Sequence, residues 1–254
     1  MEMEHHQYEQ QVMHELRAWQ EQMLRRPTII NQLAARFQKK VNSFIPEKVH
    51  KGITTTLRQM IKAVLFGAKI TSRPPVSYSS LQAQEAAVIE RIEFYKKTAA
   101  AEGGITGAGG ILLGLADFPL LLSLKLKLLF EIGSLSGFDV RDYRERVYLL
   151  HIFQLAFSSH QHRREVYLQM VDWETQKQHL PEDINQFDWR TFQQEYRDYI
   201  DLAKMAQFIP IIGAPVGAVA NYMLLQKLGT TALNAYRMRY KETLHLPTAT
   251  NANS

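Results

Sequence analysis

The chain contains no cysteine, which excludes disulfide staples, zinc-thiolate sites and cysteine nucleophiles and fits a reducing compartment. Nor is a secretory leader expected: the first ten residues, MEMEHHQYEQ, are acidic and polar where a signal peptide is basic and then apolar. A cytoplasmic location is therefore expected. Runs of alternating β-branched residues are lacking, and the thirteen glycines cluster instead of recurring at turn spacing. No GxxxxGK(S/T) loop, GxSxG elbow or HExxH motif occurs. What remains is a chain of 254 residues, 46% hydrophobic and rich in helix formers, which predicts an all-α helical bundle with a substantial core.

Charge is distributed unevenly. Between Arg17 and Arg73 stand twelve lysines and arginines against Glu21 and Glu47, more than the whole chain's surplus of +5, so the remainder is net acidic. Such asymmetry favours an anionic partner for the N-terminal part. The basic residues alternate with Phe37, Val41, Phe44, Ile45, Val49, Leu57, Ile61, Val64 and Leu65 at helical spacing. That pattern describes an amphipathic helical arm, suited to phospholipid headgroups more than to nucleic acid. Arg36, Lys39, Lys40, Lys48, Lys51 and Lys62 are its candidate membrane-surface residues. A solvated basic face over an ordinary core stripe fits the same pattern.

Prolines and hydroxyl residues divide the chain. Helices are expected at about Tyr8 to Arg26, Thr28 to Phe44, and on to about Lys69. The stretch TSRPPVSYSS, Thr71 to Ser80, reads as a linker, so residues 1–75 form the arm and 76–246 the core. Ser79 with Gln82 and Asp142 with Glu145 have capping-box spacing. The first opens a helix with the stripe Val88, Ile92, Tyr95 and Ala99; the second opens one through Met170 whose centre, Val147 to Phe157, is buried. Gly137 has the position of a C′ glycine. Pro181 and Asp188 start further helices, with an aromatic face at Trp189, Phe192, Tyr196 and Tyr199. Residues 247–254 are expected to be disordered.

Asp117 is the residue that most needs an explanation, because it stands alone inside GGITGAGGILLGLADFPLLLSL, Gly103 to Leu124. A carboxylate in an apolar segment must be paired, protonated, hydrogen-bonded or open to water. A second segment, FIPIIGAPVGAVANYMLL from Phe208 to Leu225, repeats the arrangement with Asn221. Gly103 with Gly107, Gly110 with Gly114, and Gly213 with Gly217 have the spacing that lets helices touch backbone to backbone. Pro119, Pro210 and Pro215 predict broken helices. Glu102, Asp117 and Asn221 are the candidate polar centre or ligand site, although on one straight helix Glu102, Asp117 and Glu131 would follow one another at about 21 to 22 Å. Tight core packing, with Asp117 capping a helix broken at Pro119, is the plainer alternative. Ile105 to Leu124 also has the length of a membrane span with Lys125 and Lys127 as anchors, but its glycines and internal acid favour a buried or reversibly inserting hairpin.

Chemistry of other kinds has less to stand on. His162 and Glu165 supply only half a metal site beside the basic end containing Arg163 and Arg164, so no metal and no cofactor are expected. His151 on an apolar face reads as a core histidine. A hydrolase would need Asp117 with Glu102 or His151 as acid and base around a pocket.

The pattern AEGGITGAGGILLGLADFPLLLSLKLKLLFEIGSLSGFD, then FIPIIGAPVGAVANYMLLQKLGTTALNAYR, resembles the EcsC family, and YEQQVMHELRAWQEQML with QMIKAVLFG extends the resemblance to the N-terminal part. It places the family's glycine block on Gly103, Gly104, Gly107, Gly109, Gly110 and Gly114, its acid on Asp117, and its later motif on Gly213, Gly217 and Asn221. The resemblance implies a mostly helical cytosolic protein whose namesake is encoded beside an ABC transporter linked to secretion. The expectation is a non-enzymatic accessory protein, peripheral to the inner membrane face, with an anionic membrane surface and ABC transporter subunits as partners and no nucleic acid. A hydrolase is the alternative.

Overall fold

A computed structural model describes residues 2–25, 47–66, 74–106, 110–158, 162–188, 190–192, 194 and 214–243. The described residues form α1 (Glu2–Leu24), α2 (Glu47–Phe66), α3 (Leu81–Thr106), α4 (Gly110–Leu135), α5 (Tyr143–Phe157), α6 (Arg163–Leu168), α7 (Trp173–Gln176), two 3-10 turns at Lys177–His179 and Ile184–Gln186, and α8 (Ala214–Thr243), with no strand among them. The fold is all-α. The expected helix over 28–44 and the tail 247–254 lie outside the described residues.

Helix α3 packs most extensively along α8, and the stripe read from its sequence, Val88, Ile92, Tyr95 and Ala99, is buried. Its N-cap is Ser80 instead of Ser79: the Ser80 hydroxyl accepts from the Ala83 amide at 3.2 Å. With the cap moved by one residue, the third helical position is Ala83 and the expected box with Gln82 does not form.

Helix α4 runs on through Pro119. Proline removes one amide donor and crowds the preceding turn, and the helix continues past it, with the Ser123 hydroxyl donating to the Pro119 carbonyl at 2.7 Å. Pro215 falls in the first turn of α8, where a missing amide costs nothing. Pro210 lies outside the described residues. Helix α4 ends in a Schellman turn: the Phe138 amide reaches the Gly133 carbonyl at 3.0 Å and the Gly137 amide that of Ser134 at 3.1 Å, with Gly137 at φ +87°. The extended stretch from Pro74 is tied to the same end, the Val76 amide donating to the Ser134 carbonyl at 2.9 Å.

Helix α5 is the central rod, with all its residues buried except Arg144 and Arg146. Asp142 caps it by accepting from the Arg144 amide at 2.9 Å, but Glu145 turns inward to Arg239 instead of closing a capping box. The helix stops at Phe157, short of the expected Met170. Ser158 is extended, and its hydroxyl donates to the Leu155 carbonyl at 3.1 Å, a local bond that competes with helix continuation. After Pro181 the chain forms only the 3-10 turn capped by Asp183. Asp188 does cap, accepting from the Thr191 amide at 3.1 Å.

Helices α1 and α2 contribute to the same hydrophobic cluster as the rest: Leu16 and Met23 from α1, and Ile53, Leu57, Met60, Ile61, Val64 and Leu65 from α2. Helix α2 lies against α4 and α5, which leaves Lys51, Arg58 and Lys62 exposed on its other side. Among the described residues no helix is long and apolar enough to cross a membrane, and Lys125, expected as an interfacial anchor, is fully buried.

Candidate functional site

Three contacts set the register of α3 on α8. Glu85 meets Arg237 at 2.6 Å, Ile92 lies against Gly229, and the Lys96 ammonium sits 4.5 Å above the Tyr222 ring. Positions rise on one helix as they fall on the other, so the two are antiparallel. Helix α4 follows α3 after only residues 107–109. It runs in the same sense as α8, because Lys125 meets Asn221 and Gly133 meets Tyr236. The end of α3 and the beginnings of α4 and α8 therefore gather at one end of the bundle.

Between α4 and α8 lies a buried polar pair. Asn221 is 1% exposed and Lys125 is 0% exposed. The Lys125 ammonium donates to the Asn221 side-chain oxygen at 3.4 Å and to the Leu121 carbonyl at 3.3 Å. The Asn221 amide nitrogen has no hydrogen-bond partner among the described residues. The contact joins α4 to α8, the helices that carry most of the two glycine-bearing segments. Glu102 lies on α3 and Asp117 on α4, but the side chains of both are outside the described set, as are the surroundings of Gly103, Gly107, Gly110, Gly114, Gly213 and Gly217.

The close backbone approaches that are described occur at two other glycines. A Cβ on Gly229 would lie 2.7 Å from Ile92, and one on Gly133 would lie 2.6 Å from Val140 and 2.8 Å from the Tyr236 hydroxyl. At each, a neighbouring side chain presses on the helix backbone at a distance only hydrogen permits.

Three further polar networks tie the bundle together, and none was foreseen. The fully buried Arg239 guanidinium holds Glu145 in a two-pronged ion pair and reaches Glu174 at 2.9 Å through Nε. It stacks 3.6 Å over Phe138, while Lys177 bridges Glu174 and Glu145 from the rim. Burial opposes the charge on Arg239, but the Glu145 carboxylate outweighs it and the pKa is raised. Arg237 grips Glu85 with two bonds of 2.8 and 2.6 Å and Glu15 at 3.0 Å. Tyr8 donates to Glu85 at 2.8 Å; burial and that carboxylate push its phenol up to about 12. Glu131 of α4 accepts from Arg91 at 2.6 Å and Tyr95 at 2.7 Å on α3. A cleft of about 190 Å³ opens beside Glu85 and Arg237, walled by Leu81, Phe138, Tyr236 and Tyr240.

His151 is the core histidine that its apolar surroundings suggested. Its ring stands edge-on to Trp173 at 5.7 Å and to Phe192 at 5.5 Å, and Nδ1 faces the Gln154 side-chain oxygen at 3.4 Å. Burial pushes its pKa down from 6.5 to about 4, with Gln154 opposing. Above pH 6.5 both folded and unfolded chains hold a neutral ring and the stability is complete. As pH falls from 6.5 toward 4, the unfolded chain takes up a proton that the fold refuses, so stability drops by up to about 1.4 kcal/mol per pH unit. His151→Gln should lose less stability than the parent across this window in urea titrations; parallel curves would contradict the assignment.

His162 and Glu165 pair at 2.8 Å on the surface, the solvated helix end read from sequence. Among the described residues, no group of three His, Asp or Glu side chains gathers as a metal site requires. Of the candidate membrane-surface residues, Lys51 and Lys62 are exposed on α2. The side chain of Lys48, and Arg36, Lys39 and Lys40 altogether, are outside the described set.

The model of the EcsC protein family matches residues 10–240. Protein EcsC of Bacillus subtilis (strain 168) is 45% identical to the chain over 236 residues, which cover 92% of this chain and 97% of that protein. The uncharacterized protein YdbA of the same organism is 28% identical over 141 residues, covering 56% of this chain and 52% of that protein. No solved structure matches the chain.

Proposed function

This chain belongs to the EcsC family, and from that premise we propose that it is a non-enzymatic accessory protein, bound peripherally to the anionic inner face of the cell membrane, where it assists or regulates an ABC transporter and protein secretion. The attachment is supported above all by the division of labour on α2. Its apolar side, Ile53, Leu57, Ile61, Val64 and Leu65, is buried in the core, so the side left for a partner carries Lys51, Arg58 and Lys62. Arg36, Lys39, Lys40 and Lys48 extend this surface in the proposal. Binding is then electrostatic, about 1 kcal/mol for each cation held near anionic lipid, reversible and weakened by salt.

In this reading the polar centre serves the scaffold. It consists of Glu102, Asp117 and Asn221, of which Asn221 accepts from the fully buried Lys125 ammonium. The rival hydrolase gains nothing from His151, which is enclosed by Trp173 and Phe192.

Flotation with vesicles tests the reading. The chain is expected to float with phosphatidylglycerol-containing vesicles at low salt, to be released as salt rises, and to ignore purely zwitterionic vesicles. No flotation with the anionic vesicles at low salt would refute the attachment.

A further inference from the structure

We propose that the cleft beside Glu85 and Arg237 is a binding site for a small uncharged molecule that joins one ring-sized apolar body to a hydroxyl or amide group. At about 190 Å³ it is larger than an apolar cavity of about 150 Å³, which takes up benzene. Its walls are fixed before anything enters. The two-pronged pair of Glu85 with Arg237 joins α3 to α8 on one side, and the turn at Gly137 delivers Phe138 on another. Phe138 is held in turn by the Arg239 guanidinium, 3.6 Å from its ring centroid, and by the Tyr236 ring stacked at 5.3 Å. A concave wall that exists without its ligand is what small-molecule sites share. The cleft is built from α3, the turn between α4 and α5, and α8, apart from the α2 surface, so its test is independent of vesicle binding.

The lining selects the chemistry. Leu81, Val88 and Leu233, with the rings of Phe138, Tyr236 and Tyr240, make it mainly apolar, which suits a ring or a compact branched group. Gln84 and Ser136 also stand in the wall, and their side chains make no hydrogen bond among the described residues. The buried Tyr236 hydroxyl lacks a partner there as well; beside Gly133, it lies about one helical turn from Ser136. A ligand hydroxyl or amide both donates and accepts, as these groups require. Charge is disfavoured. Each oxygen of Glu85 already accepts from Arg237 or Tyr8, and each of Glu15 from Arg237 or Gln11, while Arg237 also donates to Asn234. An anion would therefore meet two carboxylates for one guanidinium, and a cation would lose hydration without a free carboxylate to receive it.

Benzamide and benzyl alcohol are the probes, with benzoate and benzylamine as charged counterparts of similar size and toluene as the purely apolar one. In saturation-transfer NMR on the full chain, the two neutral polar probes should bind with a Kd of about 1 mM or tighter, and the charged ones at least about tenfold more weakly. Leu233→Trp, which fills the cleft from a partly buried position, should remove binding of every probe. Gln84→Leu alters a half-buried side chain; it should melt like the parent, weaken benzamide about tenfold and leave toluene binding unchanged, and it keeps the cleft testable should Leu233→Trp fail to fold. Bound benzamide should slow amide exchange at residues 81–88 and 233–240. Undiminished benzamide binding by Leu233→Trp, or exchange protection confined to other segments, would overturn the site. Benzoate binding as tightly as benzamide would overturn its chemistry. The absence of binding by either neutral probe at about ten times the expected Kd would overturn both.

Discussion

Arg239→Ala is expected to cost about 3–5 kcal/mol of folding stability, the usual loss when one member of a buried ion pair is removed. The guanidinium is fully buried and holds two carboxylates, Glu145 from α5 and Glu174 from α7, while its plane lies on Phe138. Truncation leaves Glu145, itself buried, without its main counter-charge and opens a void beside the ring. Lys177, which is 27% exposed and 3.6 Å from Glu145, offers one longer contact from the rim in place of the two-pronged pair. Burial works against the Glu174 charge, but Lys177 and Arg239 hold its carboxyl below the usual range, so removing Arg239 should also raise that pKa. Against a total stability on the order of 5–15 kcal/mol, the loss should be plain in urea unfolding. Lys177→Ala, at the rim, should cost under about 1 kcal/mol. Comparable small losses for both variants would mean that the network does not hold α8 to α5 and α7.

Gly229→Ala should destabilise by about 1–3 kcal/mol, although the same change on an open helix face stabilises by up to about 1 kcal/mol. The sign is therefore diagnostic. The added methyl would stand 2.7 to 2.9 Å from three atoms of Ile92, a β-branched side chain that is 4% exposed and has few rotamers to yield into. To admit it, α3 and α8 must separate along their main interface. Ile92→Ala alone should be costly through its cavity, yet in the double variant the two losses should fall well short of adding, because the alanine at 92 makes the room that the methyl at 229 needs. Additive losses, measured as a double-mutant cycle in urea, would contradict the close contact.

These two contacts also mark the limit of what the sequence discloses. The stripe Val88, Ile92, Tyr95 and Ala99, the buried centre of α5, the turn at Gly137 and the cap at Asp142 rest on local periodicity or local bonds, and all were legible. Gly229 was not, because its role depends on Ile92 more than a hundred residues away; the glycines that drew attention stood in conspicuous pairs. Arg237 and Arg239 do not stand out in the sequence, since a charge is ordinarily solvated. Spacing did hold a clue: two residues apart, they point about 200° from one another, with the buried Met238 between them, a pattern for a helix enclosed on all sides. The same arithmetic applies to Lys125 and Lys127, of which only one could face water. The break after Phe157 escaped notice because Ser158 stops the helix through its own hydroxyl, without proline or glycine.

The surface of α2 is where the account is most exposed. Its most direct test is vesicle affinity, measured as salt is raised, for the parent chain and for Lys51→Glu/Lys62→Glu, changes at exposed positions that leave the buried face of α2 untouched. The account predicts that the variant binds phosphatidylglycerol vesicles more weakly at low salt and loses less affinity as salt increases. Equal affinity and equal salt dependence for the two chains would contradict it.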